Sequence, residues 1–160
     1  MSSQTVPIRP TFDSSKRRSP KILEKSRHIE KKVFLMGNFL PNGSYQKTSR
    51  NVRATLYCQA QKKDGSWIPA SLDLTHLVEP NVVNENGHLH DQAGNVKRNG
   101  YLPGGSYHAS TQSQCVILSA LCKAGKHDWL WSTLDITNFS LTATLSNING
   151  TLHVDPNSTN

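Results

Sequence analysis

"NENGHLH" (Asn84–His90) and "NINGTLH" (Asn147–His153) are identical at five of seven positions and lie 63 residues apart. Asn-Gly flanked by strand-forming residues is a hairpin signal, because both residues tolerate the positive φ that a two-residue turn demands. One such turn would define one hairpin. Two of them, each followed by Leu-His, raise the possibility that the whole chain repeats.

The flanking sequence answers that. "LPNGSY" (Leu40–Tyr45) returns as "LPGGSY" (Leu102–Tyr107), Trp67 as Trp129, and "SLDL" (Ser71–Leu74) as "TLDI" (Thr133–Ile136), each 62 residues on. Gly87 returns as Gly150 at 63, and Cys58 is matched to Cys122 at 64. One order at nearly one spacing indicates an internal duplication. Two copies are too few for a solenoid, so the expectation is one β-rich domain with two pseudosymmetric halves that complete each other's core. Val52, Ala54, Leu56, Cys58 and Ala60 alternate with polar residues, the period-two pattern of a half-buried strand. "CVILSALC" (Cys115–Cys122) reads as a more enclosed strand, and Trp67–Leu74 and Trp129–Ile136 as two more.

The totals restrict the function classes. The chain has 160 residues, three cysteines and a net charge of +7. Residues 1–37 hold nine Lys and Arg against Asp13, Glu24 and Glu30, so the remainder is nearly neutral. A nucleic-acid reader carries its basic surface on the fold; here the charge is in a tail, so nucleic acid is not the expected partner, and the tail is the one segment that could contact it. Residues 1–36 are Ser-, Pro- and Lys/Arg-rich and are predicted to be disordered, with a short helix over Lys21–Val33 the one element they favour. "SKRRSPK" (Ser15–Lys21) is read as part of an ordinary solvated basic tail, with a localisation or phosphorylation signal as the alternative. No apolar run spans a bilayer or forms a secretory core, so the expected location is the cytoplasm, or outside by an unconventional route.

At this point the chain resembles the cyanovirin-N homology family: two tandem repeats, each running strand, Cys, aromatic, "S/T-L-D-L/I", turn, and "N-x-N/D-G-x-L", over about residues 38–155. The resemblance implies an all-β fold of two pseudosymmetric repeats, each a three-stranded antiparallel sheet plus a β-hairpin, with elements exchanged between repeats. It divides the domain 37–156 into repeat one (38–92), a linker (93–101) and repeat two (102–155), and leaves 157–160 as a tail. It further implies a lectin for mannose-rich oligosaccharides, with no cofactor, no metal and no catalysis, monomeric or as a domain-swapped dimer. Carried onto matching positions, the first sugar pocket takes Ser44, Lys47, Thr48, Gln59, Gln61, Asn147 and Asn149. The second takes Asn84, Asn86, Ser106, Ala109, Ser110, Lys123 and Gly125. Ala109 and Gly125 offer no side-chain partner, which ranks the second pocket below the first.

Two departures from the family pattern stand out. Ser49 and Thr111 occupy the places of the first cysteine in each repeat, so the expected disulfides are lost and Cys58, Cys115 and Cys122 are read as free thiols. The join His90–Tyr107 is longer than the family's and is expected to be flexible, which favours the monomer. The rival function is a non-catalytic protein-interaction module on the same fold, its sugar site weakened or lost and its basic tail contacting an acidic partner.

Other constellations are weaker. His88, His90 and His153 lack the further ligands a zinc site needs. His127-Asp128 near Cys122 is the nearest approach to a nucleophile–base pair, without further support. The repeat-mates Asp73 and Asp135 are read as caps of the turns after their strands rather than a glycosidase pair. Trp67 and Trp129 are expected in the core, with a sugar platform as the alternative, and the unmatched Trp131 outside. Sequons occur at Asn42, Asn138, Asn149 and Asn157 and are expected to be unmodified.

Overall fold

The computed structural model describes residues 39–158. The basic segment 1–36, the helix read over Lys21–Val33, and Asn38 at the start of repeat one lie outside the described residues. The described chain is built of antiparallel β-structure with short 3₁₀ turns and no α-helix.

Eight strands run in chain order: β1 Ser49–Gln61, β2 Trp67–Asp73, β3 Asn81–Glu85, β4 His88–Gln92, β5 Thr111–Ala124, β6 Asp128–Asp135, β7 Leu145–Ile148 and β8 Thr151–Val154. A four-stranded sheet has the order β2-β1-β5-β6, and β3-β4 and β7-β8 are separate hairpins. The expectation of a three-stranded sheet in each repeat is therefore corrected. The segment Ser49–Gln61 continues, through a bulge near Asn51, as one 13-residue strand. Each repeat then gives two strands to one shared sheet, and β1 satisfies its second edge on β5.

Pairing β1 with β5 also aligns their apolar faces. Ala54 lies opposite Leu118 and Leu56 opposite Val116, and all four are fully buried. Val82, Leu89, Leu145 and Leu152 from the two hairpins join the same buried cluster, with Phe39, Tyr45 and Tyr107. Each large apolar side chain so buried contributes about 1.5–3 kcal/mol. The opposite face of the sheet, carrying Arg53, Thr55 and Tyr57, stays at least partly open.

The backbone makes the duplication explicit. Thr55 pairs with Asp73 as Ile117 does with Asp135, and Gln61 with Trp67 as Lys123 does with Trp129, at a constant offset of 62. The β1–β5 ladder is irregular at two places, near Asn51 and near Ser113, residues 62 apart that both have φ 53. At this offset Cys58 corresponds to Ala120 and Cys122 to Ala60, so the 64-residue match of the two cysteines is corrected: strand register, not residue type, decides the correspondence. All three cysteines are free.

The "LPxGSY" motif now has a physical reading. Tyr45 and Tyr107 are fully buried and donate their hydroxyls to the Pro41 and Pro103 carbonyls at 2.8 and 2.9 Å. Burial pushes the Tyr45 phenol up to about 12, so it remains a neutral donor. A Cβ on Gly43 would meet the Leu145 carbonyl oxygen at 2.0 Å, and one on Gly105 the Val82 oxygen at the same distance. Both glycines have positive φ, 146 and 130. Each hairpin thus seats on the entry turn of the other repeat, through Leu145 N–H to Asn42 O and Val82 N–H to Gly104 O, both 2.9 Å.

The join between repeats is tied down along its length, contrary to the expectation of flexibility. Val96 N–H bonds the Glu79 carbonyl at 3.2 Å, and Arg98 donates to the Val78 and Gly100 carbonyls. The Arg98 guanidinium lies 3.8 Å from the centre of the Phe39 ring, a cation–π contact in a partly desolvated place. At the C-terminal end, part of the segment read as a tail is ordered: Pro156–Ser158 form a 3₁₀ turn, with Ser158 Oγ bonding the Asp155 carbonyl at 2.7 Å. Trp67, expected in the core, is 41% exposed on the edge strand β2, while Trp129 is half-buried beneath the Arg50 guanidinium.

At one end of the β1–β5 pairing, Ser49 lies directly opposite Cys122, with Oγ and Sγ 3.3 Å apart. Ser49→Cys should therefore close a bridge to Cys122 on oxidation and add about 3–4 kcal/mol, since the loop it closes is long. Intact mass with and without reductant, together with melting curves, checks this. Four alkylatable thiols after oxidation, rather than the two of Cys58 and Cys115, would place these strand ends elsewhere.

Candidate carbohydrate site

The Asn86-Gly87 and Asn149-Gly150 turns are both type I′. Asn86 and Gly87 have φ 52 and 91, Asn149 and Gly150 φ 49 and 89, and the flanking residues Glu85↔His88 and Ile148↔Thr151 pair directly. The first asparagine of each motif closes its own turn. Asn84 Oδ1 accepts Gly87 N–H at 2.8 Å and Asn147 Oδ1 accepts Gly150 N–H at 2.9 Å.

The amide nitrogens of the same residues reach across repeats. Asn147 Nδ2 donates to Thr48 O at 3.2 Å, Thr48 Oγ1 at 3.1 Å and Lys123 O at 3.0 Å. Asn84 Nδ2 donates to Ser110 O at 3.2 Å, Ser110 Oγ at 2.9 Å and Gln61 O at 2.9 Å. Three chain segments meet at each corner: an entry turn, the end of a long strand, and the hairpin of the other repeat. Asn147 and Asn84 are thereby structural clamps whose polar atoms are already engaged.

This geometry regroups the sequence-derived site residues. Thr48 and Gln61 bracket β1, and at about 3.3 Å of rise per residue they lie on the order of 40 Å apart. Gln59, opposite Gln112 on β5, and Gln61 therefore do not join Ser44, Lys47, Thr48, Asn147 and Asn149; they belong with Asn84 and Ser110. Lys123 moves the other way, its N–H bonding Thr48 O at 2.9 Å. Both corrections share one cause. β1 runs on to the far end of the sheet, so the residues before it and those at its end do not share one corner.

The first corner thus holds Ser44, Lys47, Thr48, Lys123, Asn147 and Asn149; the second holds Gln59, Gln61, Asn84, Asn86, Ser106 and Ser110. They differ in what is left for a ligand. At the first, Ser44, Lys47, Lys123 and Asn149 are exposed, and their side chains make no hydrogen bond to another described residue. At the second, Asn86 Oδ1 accepts Lys63 N–H at 3.0 Å, and Ser110 is held by Asn84 and Tyr107. Neighbouring His108 bonds the Pro103 carbonyl and Gln114, and Ala109 has no polar side-chain atom. Gly125 lies two residues beyond Lys123, at the first corner rather than the second.

The aspartates fall where the cap reading put them. Asp73 Oδ1 accepts Thr75 N–H at 2.9 Å and Thr75 Oγ1, and Asp135 makes the same pair of bonds to Thr137. Partial burial opposes ionisation of Asp73, but the Thr75 bonds, with Arg53 and His76 nearby, outweigh it and hold the carboxyl below its ordinary value. Burial pushes the Cys58 thiol up, with Cys115 adding to the effect, which makes Cys58 a poor nucleophile. Among the described residues no group of three or more His, Cys, Asp or Glu could hold a metal ion, and no helix is long and apolar enough to cross a membrane.

No protein-family model, curated protein or solved structure matches the chain.

Two outcomes follow from these bonds. Asn147→Ala should cost about 2–3 kcal/mol in chemical denaturation, at about 0.5–1.5 kcal/mol per bond lost. Asn149→Gly, which keeps the turn's backbone, should shift stability by less than about 0.5 kcal/mol; a reversed order would contradict the clamp role. Asp73 has a lowered folded-state pKa, so its stabilisation is present above about pH 4 and is lost as pH falls through the folded value. Asp73→Asn should flatten that part of an acid denaturation profile, and an unchanged profile would contradict the cap.

Proposed function

We propose that the chain is a non-enzymatic carbohydrate-binding protein, a lectin of the cyanovirin-N homology type, that recognises mannose-rich oligosaccharides at the Thr48–Asn147–Asn149 corner. The observation that carries this reading is Asn149. Its side chain stands exposed and unbonded among the described residues, on a turn whose backbone is fixed by Asn147, at the corner that also carries Ser44, Lys47 and Lys123. Sugar hydroxyls both donate and accept. An amide, a hydroxyl and two ammonium groups supply both halves of that chemistry, with the Asn149 turn already held by Asn147 and the ordering cost falling on the two lysine side chains.

Each hydrogen bond to a sugar nets about 0.5–1.5 kcal/mol, so one shallow corner gives weak to moderate affinity. Occupation of the second corner is expected to be weaker, because Asn86 Oδ1 and Ser110 Oγ already bond to the protein and Ala109 stands where the first corner has Lys47. The single-copy tandem arrangement then gives one working mannose site rather than the bivalent pair that produces high avidity.

Amide NMR titration with a branched mannose oligosaccharide tests the assignment. The expected result is shifts at Ser44, Thr48, Lys123 and Asn149, little change at Asn84 and Asn86, and loss of the response in Asn149→Gly. No shifts at millimolar sugar would sink the reading.

A further inference from the structure

The pseudosymmetry provides an internal control that points to a second, different site. On the open face of the four-stranded sheet a groove of about 710 Å³ is lined by Arg53, Thr55, Tyr57, Asp73, Ser119 and Trp131, among others. Trp131 is 65% exposed and Tyr57 47% exposed. Neither therefore owes its place mainly to packing.

At the constant offset of 62, the counterpart of Trp131 is Pro69, that of Arg53 is Cys115, that of Thr55 is Ile117, and that of His76 is Asn138. The same backbone is thus built in the other half without a Trp, an Arg, a Thr or a His at these positions. The fold does not require this set; it has accumulated on one half of the sheet face, around one concavity.

Two of the ten lining residues, Tyr57 and Trp131, offer aromatic stacking surface, and most of the others are polar. Arg53, Thr55, Ser119 and His76 make no side-chain hydrogen bond to another described residue. Asp73 uses Oδ1 for its cap and, among the described residues, makes no hydrogen bond through Oδ2. In register, Trp131 is opposite Leu121 and Tyr57 opposite Cys115, six residues apart along β5. That corresponds to roughly 20 Å at the strand rise, the reach of an extended oligomer rather than a single ring.

We propose that this groove binds a neutral linear oligosaccharide of glucose-type rings, whose hydroxyls are all equatorial. Such rings present flat C–H faces to the Trp131 indole and the Tyr57 ring while their hydroxyls point sideways. Thr55, Ser119, Arg53 and Asp73 meet those hydroxyls with both donors and acceptors. The charges in the groove are of both signs, which suits a neutral chain; a polyanion such as single-stranded nucleic acid would meet the Asp73 carboxylate. The site is separate from the Thr48–Asn147 corner and does not depend on mannose binding there.

The test uses the full chain, with a β-1,4-linked glucose hexasaccharide, a β-1,4-linked N-acetylglucosamine hexasaccharide and a short single-stranded oligonucleotide as probes. Tryptophan fluorescence and amide shifts are read together. At least one hexasaccharide should blue-shift the emission and move Thr55, Tyr57, Ser119 and the Trp131 indole N–H, leaving Asn149 still. Trp131→Ala and Tyr57→Ala should each weaken binding tenfold or more, with the remaining amide spectrum retained. The proposal is overturned if neither hexasaccharide moves the groove residues at millimolar concentration. It is equally overturned if both variants bind as the parent does, or if only the oligonucleotide binds, with steep salt dependence. Failure of the mannose corner would leave Asn149 unresponsive to the branched mannose sugar and would not alter the groove readout.

Discussion

The antiparallel pairing of β1 with β5 is the constraint on which the rest of the structure depends. Both strands are long, both bury alternate side chains, and each uses its other edge for a partner from its own repeat. Their register brings Thr48 to Lys123 at one end and Gln61 toward Ser110 at the other, creating two corners that no single repeat contains. The hairpins then lock onto these corners through Asn147 and Asn84 and close over the inner face. A slip of one residue would turn every buried side chain outward, which the matched bulges near Asn51 and Ser113 help to prevent.

On that symmetric frame the functional candidates are places where the two halves differ. Asn86 is engaged by Lys63 N–H while its counterpart Asn149 is not, although the two turns share one backbone geometry. Thr48 and Ser110 receive the same clamp, but Lys47 is followed 62 residues later by Ala109. The open sheet face diverges more, with Trp131 against Pro69 and Arg53 against Cys115. Elements that hold the fold have stayed alike: both buried tyrosines, both entry-turn glycines and both Asp-Thr caps.

Much of this was legible in the sequence because it is local or periodic. Alternation at Val52–Ala60 marks β1, Asn-Gly marks both hairpins, and the repeated "LPxGSY" marks the two entry turns. The grouping of site residues was not legible, because it depends on whether the chain turns inside Ser49–Gln61. A strand and a hairpin with a weak turn have similar alternation over so short a span, and only pairing with β5 decides between them. The anchoring of the join was hidden for a related reason. Glycines near residue 100 suggest freedom, whereas Arg98 stacking on Phe39 depends on residues about 60 apart in sequence. The exposed groove left one trace, a tryptophan at 131 with no repeat-mate.

Two corners of one backbone geometry are expected to differ in ligand capacity. The first exposes the unbonded side chains of Lys47, Lys123 and Asn149, whereas the second has Ala109 in place of Lys47 and the Asn86 amide oxygen taken by Lys63 N–H. Calorimetric titration of the full chain with a branched mannose oligosaccharide tests this difference most directly. The account predicts a stoichiometry of one sugar per chain, with heat abolished by Asn149→Gly and retained in Asn86→Gly. Two equivalent sites, or heat that survives Asn149→Gly, would contradict it.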